Sequence, residues 1–141
     1  MPPTIQLPLL PGWQAQQETL LDNDAELFHL ETYLPDDKNQ SDKALADLYA
    51  GDMPEGSDAC QEALNSYRDI VGDDEEDPLT IWPFQGKDAY GYEVICDDDS
   101  IMRVMCLEPA PGQLLIISIV ACDDDLFDTV VKHVEEHLAI L

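Results

Sequence analysis

The fold turns on WQAQQETLLDNDAELFHLETYL, residues 13–34. Its apolar residues Leu20, Leu21, Leu27, Phe28, Leu30 and Leu34 recur near helical spacing, which predicts helix across the stretch. Asn23 and Asp24 are the natural point for a break into two helices, and Pro35 ends the segment. The next stretch, SDKALADLY, extends the same reading. Ser41 is placed to cap a short helix, Asp42 suits its first turn, and Gly51 lies just past its end. A third helix is expected over residues 57–72, capped by Ser57 or Asp58, striped by Cys60, Leu64, Tyr67 and Val71, and stopped by Gly72. The half of the chain before residue 73 therefore reads as helical. Only residues 1–12 stand apart. Pro2, Pro3, Pro8 and Pro11 exclude a helix there, while Ile5, Leu7, Leu9 and Leu10 suggest an extended arm that packs back as an edge strand.

After the acidic run at residues 73–78 the period changes. LTIWPF, YGYEVIC, IMRVMCLE and QLLIISIVAC read as strands. The short links DDDS and PAPG predict antiparallel hairpins between the last three. Pro83 puts the first strand at an edge or a bulge. QLLIISIVA, apolar on both faces, is the central strand and needs a helix on at least one side. The chain then closes with a helix whose apolar face is Leu126, Phe127, Val130, Val131, Val134, Leu138 and Leu141. The expectation is a single α+β domain over residues 1–141: a helical N-terminal half packed on a small antiparallel sheet of three or four strands, closed by a C-terminal helix.

Charge sets the functional expectation. Thirty-one Asp and Glu face six Lys and Arg, a formal net charge of -25 at pH 7, far more than solubility requires. Direct binding to nucleic acid is disfavoured, because the phosphate backbone would be repelled, and an anionic membrane offers no attraction. The longest uninterrupted apolar run, residues 114–117, is much too short to span a bilayer. The N-terminus has no basic segment ahead of a long apolar run, so a soluble cytoplasmic protein with reduced cysteines is expected. Such acidity has three explanations: a basic partner or imitation of a nucleic-acid surface, cation binding, or adaptation of a whole proteome to high salt.

Specific chemistry finds little support. Cys60, Cys96, Cys106 and Cys122 lack the close pairs of structural zinc sites. No calcium-binding EF-hand loop is present. His133 and His137 share a helix face, but Val134 stands where the H-E-x-x-H motif needs glutamate. Cys122 is crowded by aspartates that disfavour its thiolate. No serine elbow or phosphate loop is found, and with so many carboxylates no single pair is informative. No catalytic residue, cofactor or metal is therefore assigned.

The expectation is an acidic binding protein that inhibits, one to one, a basic partner such as a nuclease or DNA-binding protein. In charge and size it resembles the small acidic nucleic-acid mimics and immunity proteins. The alternatives are a generally acidic protein of a high-salt organism and a hydrolase or metal-dependent enzyme using surface carboxylates. The residues expected to meet the partner are Asp73, Asp74, Glu75, Glu76 and Asp77 in the acidic run, Asp97, Asp98 and Asp99 at a hairpin tip, and Asp123, Asp124, Asp125 and Asp128 at the start of the last helix. Trp82 and Phe84 are candidate apolar anchors, or core. The repeated CDDD at Cys96 and Cys122 marks two exits from the sheet. Strands running in the same direction would bring both acidic triplets to one edge, and opposed strands would separate them.

Overall fold

The computed structural model describes residues 5–22, 25–33, 44–72, 79–96 and 99–140. It overturns the helical N-terminal half. The expected helices over residues 13–34 and 41–49 are replaced by strands β2 (Gln14–Asp22), β3 (Ala25–Tyr33) and β4 (Ala44–Asp52). The proposed cap at Ser41 and Asp42, the break at Asn23 and Asp24, and the stop at Pro35 lie outside the described residues. Helix α1 (Ala59–Ile70) follows. Strands β5 (Thr80–Phe84), β6 (Lys87–Ile95), β7 (Ile101–Leu107) and β8 (Gln113–Ala121), then helix α2 (Asp124–His137), stand where the sequence places them, except that α2 ends at His137 and the expected helical residues Ala139 and Ile140 form a strand instead. The arm contributes β1 (Ile5–Gln6), which pairs antiparallel with β9 (Ala139–Ile140) beyond α2.

The main sheet has seven antiparallel strands in the order β2-β3-β4-β8-β7-β6-β5. Two meanders, β2-β3-β4 and β5-β6-β7-β8, meet along the β4–β8 ladder, where Ala44 pairs with Ala121 and Asp52 with Gln113. β8 is the middle strand, as its two apolar faces require, and Pro83 lies on edge strand β5, where a missing N–H costs no ladder bond.

Tertiary pairing explains why helix-forming residues become strands. β4 reads ALADLYAGD, and Ala44, Ala46, Leu48 and Ala50 are buried while Leu45, Asp47 and Tyr49 are only half-buried. That alternation has the period of a pleated strand. Ala and Leu favour helix weakly, and burial against β8 overrides the preference.

The helices lie on opposite faces. α2 packs on β8 and β4. Phe127, Val130, Val134 and Leu138 close a core with Leu48, Leu115, Ile117, Ile119 and Met105, and Leu7 and Leu10 of the arm, with Trp13 just after it, seal its flank. α1 packs on β6 and β7. Its buried residues are Ala59, Ala63 and Tyr67; of the expected stripe Tyr67 is buried and Leu64 half-buried, whereas Cys60 and Val71 are exposed. The two alanines let the helix lie close over Cys106 and Leu114. Tyr67 meets Tyr92 edge-on at 5.3 Å, and the Tyr92 hydroxyl lies 2.8 Å from Ser66 Oγ. Asp58 is the N-cap, accepting from the Gln61 amide at 2.8 Å. No described helix is long and apolar enough to cross a membrane. Among the described elements, neither helix packs on the α1 side of β2, β3 and β4, and that half-face carries polar side chains.

Candidate functional surfaces

The direction of β6 and β8 answers the question posed by the two CDDD segments. Each is antiparallel to β7, so the two run the same way. Ile95 pairs with Ile101, Ile101 with Ala121, and Ala121 with Ala44, so all four mark one end of the sheet. Cys96 and Cys122 leave the sheet at that end, each half-buried. Asp99, in left-handed conformation at φ 67, belongs to the β6–β7 turn, where its amide donates to the Cys96 carbonyl at 2.9 Å. Asp123, Asp124 and Asp125 start α2 at the same end.

Part of this acidic group has structural work. Asp123 Oδ1 accepts from the Leu126 amide at 2.7 Å and caps α2. Asp124 and Asp125 lie in the first turn, against the positive end of the helix dipole. Asp128 is exposed one turn further on. None of Asp99, Asp123, Asp124, Asp125 and Asp128 is paired with a described basic side chain; the described ion pairs join His29 to Glu18 and Asp47, and Arg103 to Glu93. Asp73, Asp74, Glu75, Glu76, Asp77, Asp97 and Asp98 lie outside the described residues.

The second surface joins residues of three strands that the helical reading of the sequence does not bring together. On the open half-face, His29 of β3 stands across from Glu18 of β2 and Tyr49 of β4, and Glu31 stands directly across from Asp47. The His29 ring stacks on Tyr49, with centroids 4.3 Å apart and planes 4° from parallel. Its Nε2 lies 2.9 Å from Asp47 Oδ1 and its Nδ1 lies 3.4 Å from Glu18 Oε1. One donor atom each from His29, Glu31 and Asp47 lies within 4.8 Å of the other two. Burial draws the His29 pKa down, but hydrogen bonds to Asp47 and Glu18 and their charges outweigh it, so the imidazole titrates above 6.5. Burial, and then the charges of Asp47, Glu31 and Glu18, push the Tyr49 phenol up. A hollow of about 80 Å³, lined in part by Gln16, Glu18, His29 and Glu31, opens beside the ring. The signal was the alternation in LFHLETY, which places His29, Glu31 and Tyr33 on one face and Phe28, Leu30 and Thr32 on the other.

Other features are structural. Burial pushes the Cys106 thiol up to about 12, so it holds its proton at neutral pH. His133 Nε2 donates to the Pro8 carbonyl at 2.6 Å, pinning the arm to α2, with the His137 ring 5.0 Å away. Phe84 is buried, and Trp82 lies under the Arg103 guanidinium at 4.3 Å, so both serve the core rather than an exposed anchor. A hollow of about 530 Å³ is lined by Phe84, Gln85, Lys87, Leu107 and Leu138 among others. Gln85 braces it by donating to the carbonyls of Glu135 and Leu138, at 3.0 and 2.8 Å. Among the described residues its lining contains one cation and no nucleophile or carboxylate.

No protein-family model matches this chain, and neither a curated protein nor a solved structure does.

Proposed function

We propose that the chain is a binding protein, not an enzyme, that docks a basic partner at the acidic end of its sheet. The partner chemistry that fits is a nuclease or another nucleic-acid-binding protein, held one to one and thereby inhibited, in a cytoplasmic setting. The observation that carries this reading is the common exit of β6 and β8. It gathers Asp99, Asp124, Asp125 and Asp128 near one end of a rigid sheet without a described cation among them. Duplex DNA presents about one charge per 1.7 Å of axis, and carboxylates held by strand ends and a helix start offer a comparable density to a basic cleft. Such charge speeds encounter and makes it salt-sensitive. The four cysteines are thiols, in keeping with a reducing compartment.

The test is affinity capture from lysate at graded salt, with wild-type protein and the variant D99N/D124N/D125N/D128N. Asp123 is left intact to preserve the helix cap. A second variant neutralises Asp69, Glu108, Glu135 and Glu136 instead. The expected result is a partner held at physiological salt by wild type and by the second variant and lost by the first. Equal loss in both variants means generic polyanion behaviour and overturns the reading.

A further inference from the structure

We propose that His29, Glu31 and Asp47 form a binding site for a first-row divalent transition metal of the zinc type, with Glu18 orienting the histidine. The site lies on the open half-face of β2–β4 and is independent of the acidic end assigned to a basic partner.

The first argument is register. Glu31 and Asp47 are directly opposed across the β3–β4 ladder. Like charges in that position destabilise a sheet, and the net charge of -25 aggravates the conflict. No described Lys or Arg is paired with either carboxylate. His29, of opposite potential charge, is paired with Asp47 and has a ring nitrogen within 4.8 Å of a Glu31 carboxylate oxygen.

The second argument is the imidazole itself. Both ring nitrogens face carboxylate oxygens, Nε2 towards Asp47 and Nδ1 towards Glu18. A neutral imidazole has one N–H and one lone pair. A lone pair aimed at a carboxylate is repelled unless a cation stands between them. The ring therefore carries two protons, or one proton and a metal ion. With Nδ1–H donating to Glu18, the Nε2 lone pair points at Asp47. This is the carboxylate–histidine–metal arrangement that orients imidazole ligands.

The third argument is geometry. Two donors, each about 2.1 Å from zinc, lie roughly 3.0–3.4 Å apart. His29 Nε2 and Asp47 Oδ1 are 2.9 Å apart, and Glu31 completes a triangle within 4.8 Å. Stacking on Tyr49 holds the ring, and the His29 and Asp47 side chains are 12% and 23% exposed, so the site is partly desolvated before any ion arrives. One imidazole nitrogen with two carboxylates suits zinc and its neighbours, whereas magnesium and calcium prefer oxygen alone. The solvent side remains for water as the fourth ligand.

The experiment is calorimetric titration of the chelator-treated, reduced full chain with zinc chloride, in excess magnesium to occupy diffuse carboxylate sites. Wild type should take up one zinc. H29Q and D47N should each weaken it by at least a hundredfold. E18A, which removes the orienting acceptor, should weaken it about 10–100-fold. The double variant H133A/H137A should bind like wild type. Nitrogen-15 spectra of wild-type protein give a readout that needs no variant: zinc should shift His29 Nε2 and leave Nδ1 protonated. No uptake in magnesium, unchanged affinity in H29Q, loss of binding in H133A/H137A, or a spectrum in which His29 does not respond would each overturn the site.

Discussion

Replacing Gly91 with alanine tests the closest approach in the sheet. A Cβ at this position would lie 1.8 Å from the Val104 carbonyl oxygen, 2.8 Å from its carbon and 3.0 Å from Met105 Cα. Atoms in ordinary contact are about 3.5 Å apart, so β6 and β7 would have to separate by more than an ångström. The obstacle is backbone, and it cannot rotate away. β7 is held on its far side by β8, and Val104 and Met105 are buried. Overpacking costs about 1–3 kcal/mol, and each ladder bond opened adds about 1 kcal/mol. The reduced freedom of the unfolded chain returns at most about 1 kcal/mol. The expected loss is about 3 kcal/mol, or roughly 10 °C in Tm for a chain of this size. Urea unfolding, followed by circular dichroism and by Trp13 and Trp82 fluorescence, would measure it. G112A is the control: Gly112 has φ 79 and nothing within 4 Å of a built Cβ, so it should lose only the roughly 1–2 kcal/mol of left-handed strain. If Gly91→Ala costs no more than Gly112→Ala, the tight β6–β7 approach is refuted.

Removing the cap in D123A should cost about 1 kcal/mol, and D125A clearly less, as read from urea midpoints; equal losses would mean that charge rather than the Leu126 hydrogen bond is at work. In chelator-treated protein, His29 titrates above 6.5 while Glu18, Glu31, Asp47 and the Tyr49 phenol face it. Because folding raises this pKa, its contribution is fully present below pH 6.5 and fades as pH rises through the folded value. The stability gap between wild type and H29Q should therefore shrink as the solution is made alkaline, and a gap that widens contradicts the assignment. Iodoacetamide should label exposed Cys60 rapidly in the native protein and Cys106 only on unfolding, as followed by peptide mass spectrometry; early labelling of Cys106 would refute its burial.

The C-terminal half was legible because its signals are strong and local. QLLIISIVA is branched and apolar on both faces, Pro83 marks an edge, and short turns bound the hairpins. α1 and α2 carry their own caps at Asp58 and Asp123. The N-terminal meander is not legible locally, because its residues are helix formers with an ambiguous apolar spacing. Leu27, Leu30 and Leu34 fit a helical turn, whereas the side chains that decide the matter alternate: His29, Glu31 and Tyr33 against Phe28, Leu30 and Thr32. What makes QAQQETLLD a strand is β3 beside it, and what makes ALADLYAGD a strand is β8, far away in sequence. The His29 cluster was hidden for the same reason. Its members come from three strands, and helical reading scatters them. The common end at which β6 and β8 leave the sheet follows from strand direction, which local pattern does not determine.

The β4–β8 seam also sets a timetable for synthesis. Residues 44–52 are made well before residues 113–121, with α1, β5, β6 and β7 produced in between. At roughly 5–20 residues per second, β4 presents an unpaired edge for several seconds on the ribosome. Its half of the sheet gains its neighbour only when the other meander is nearly complete, so assembly is governed by a long-range closure rather than by local hairpins. Pulsed hydrogen exchange during refolding should find the β4–β8 amides among the last protected; early protection there would contradict this order. A cell making this protein must shield that edge until the second meander arrives.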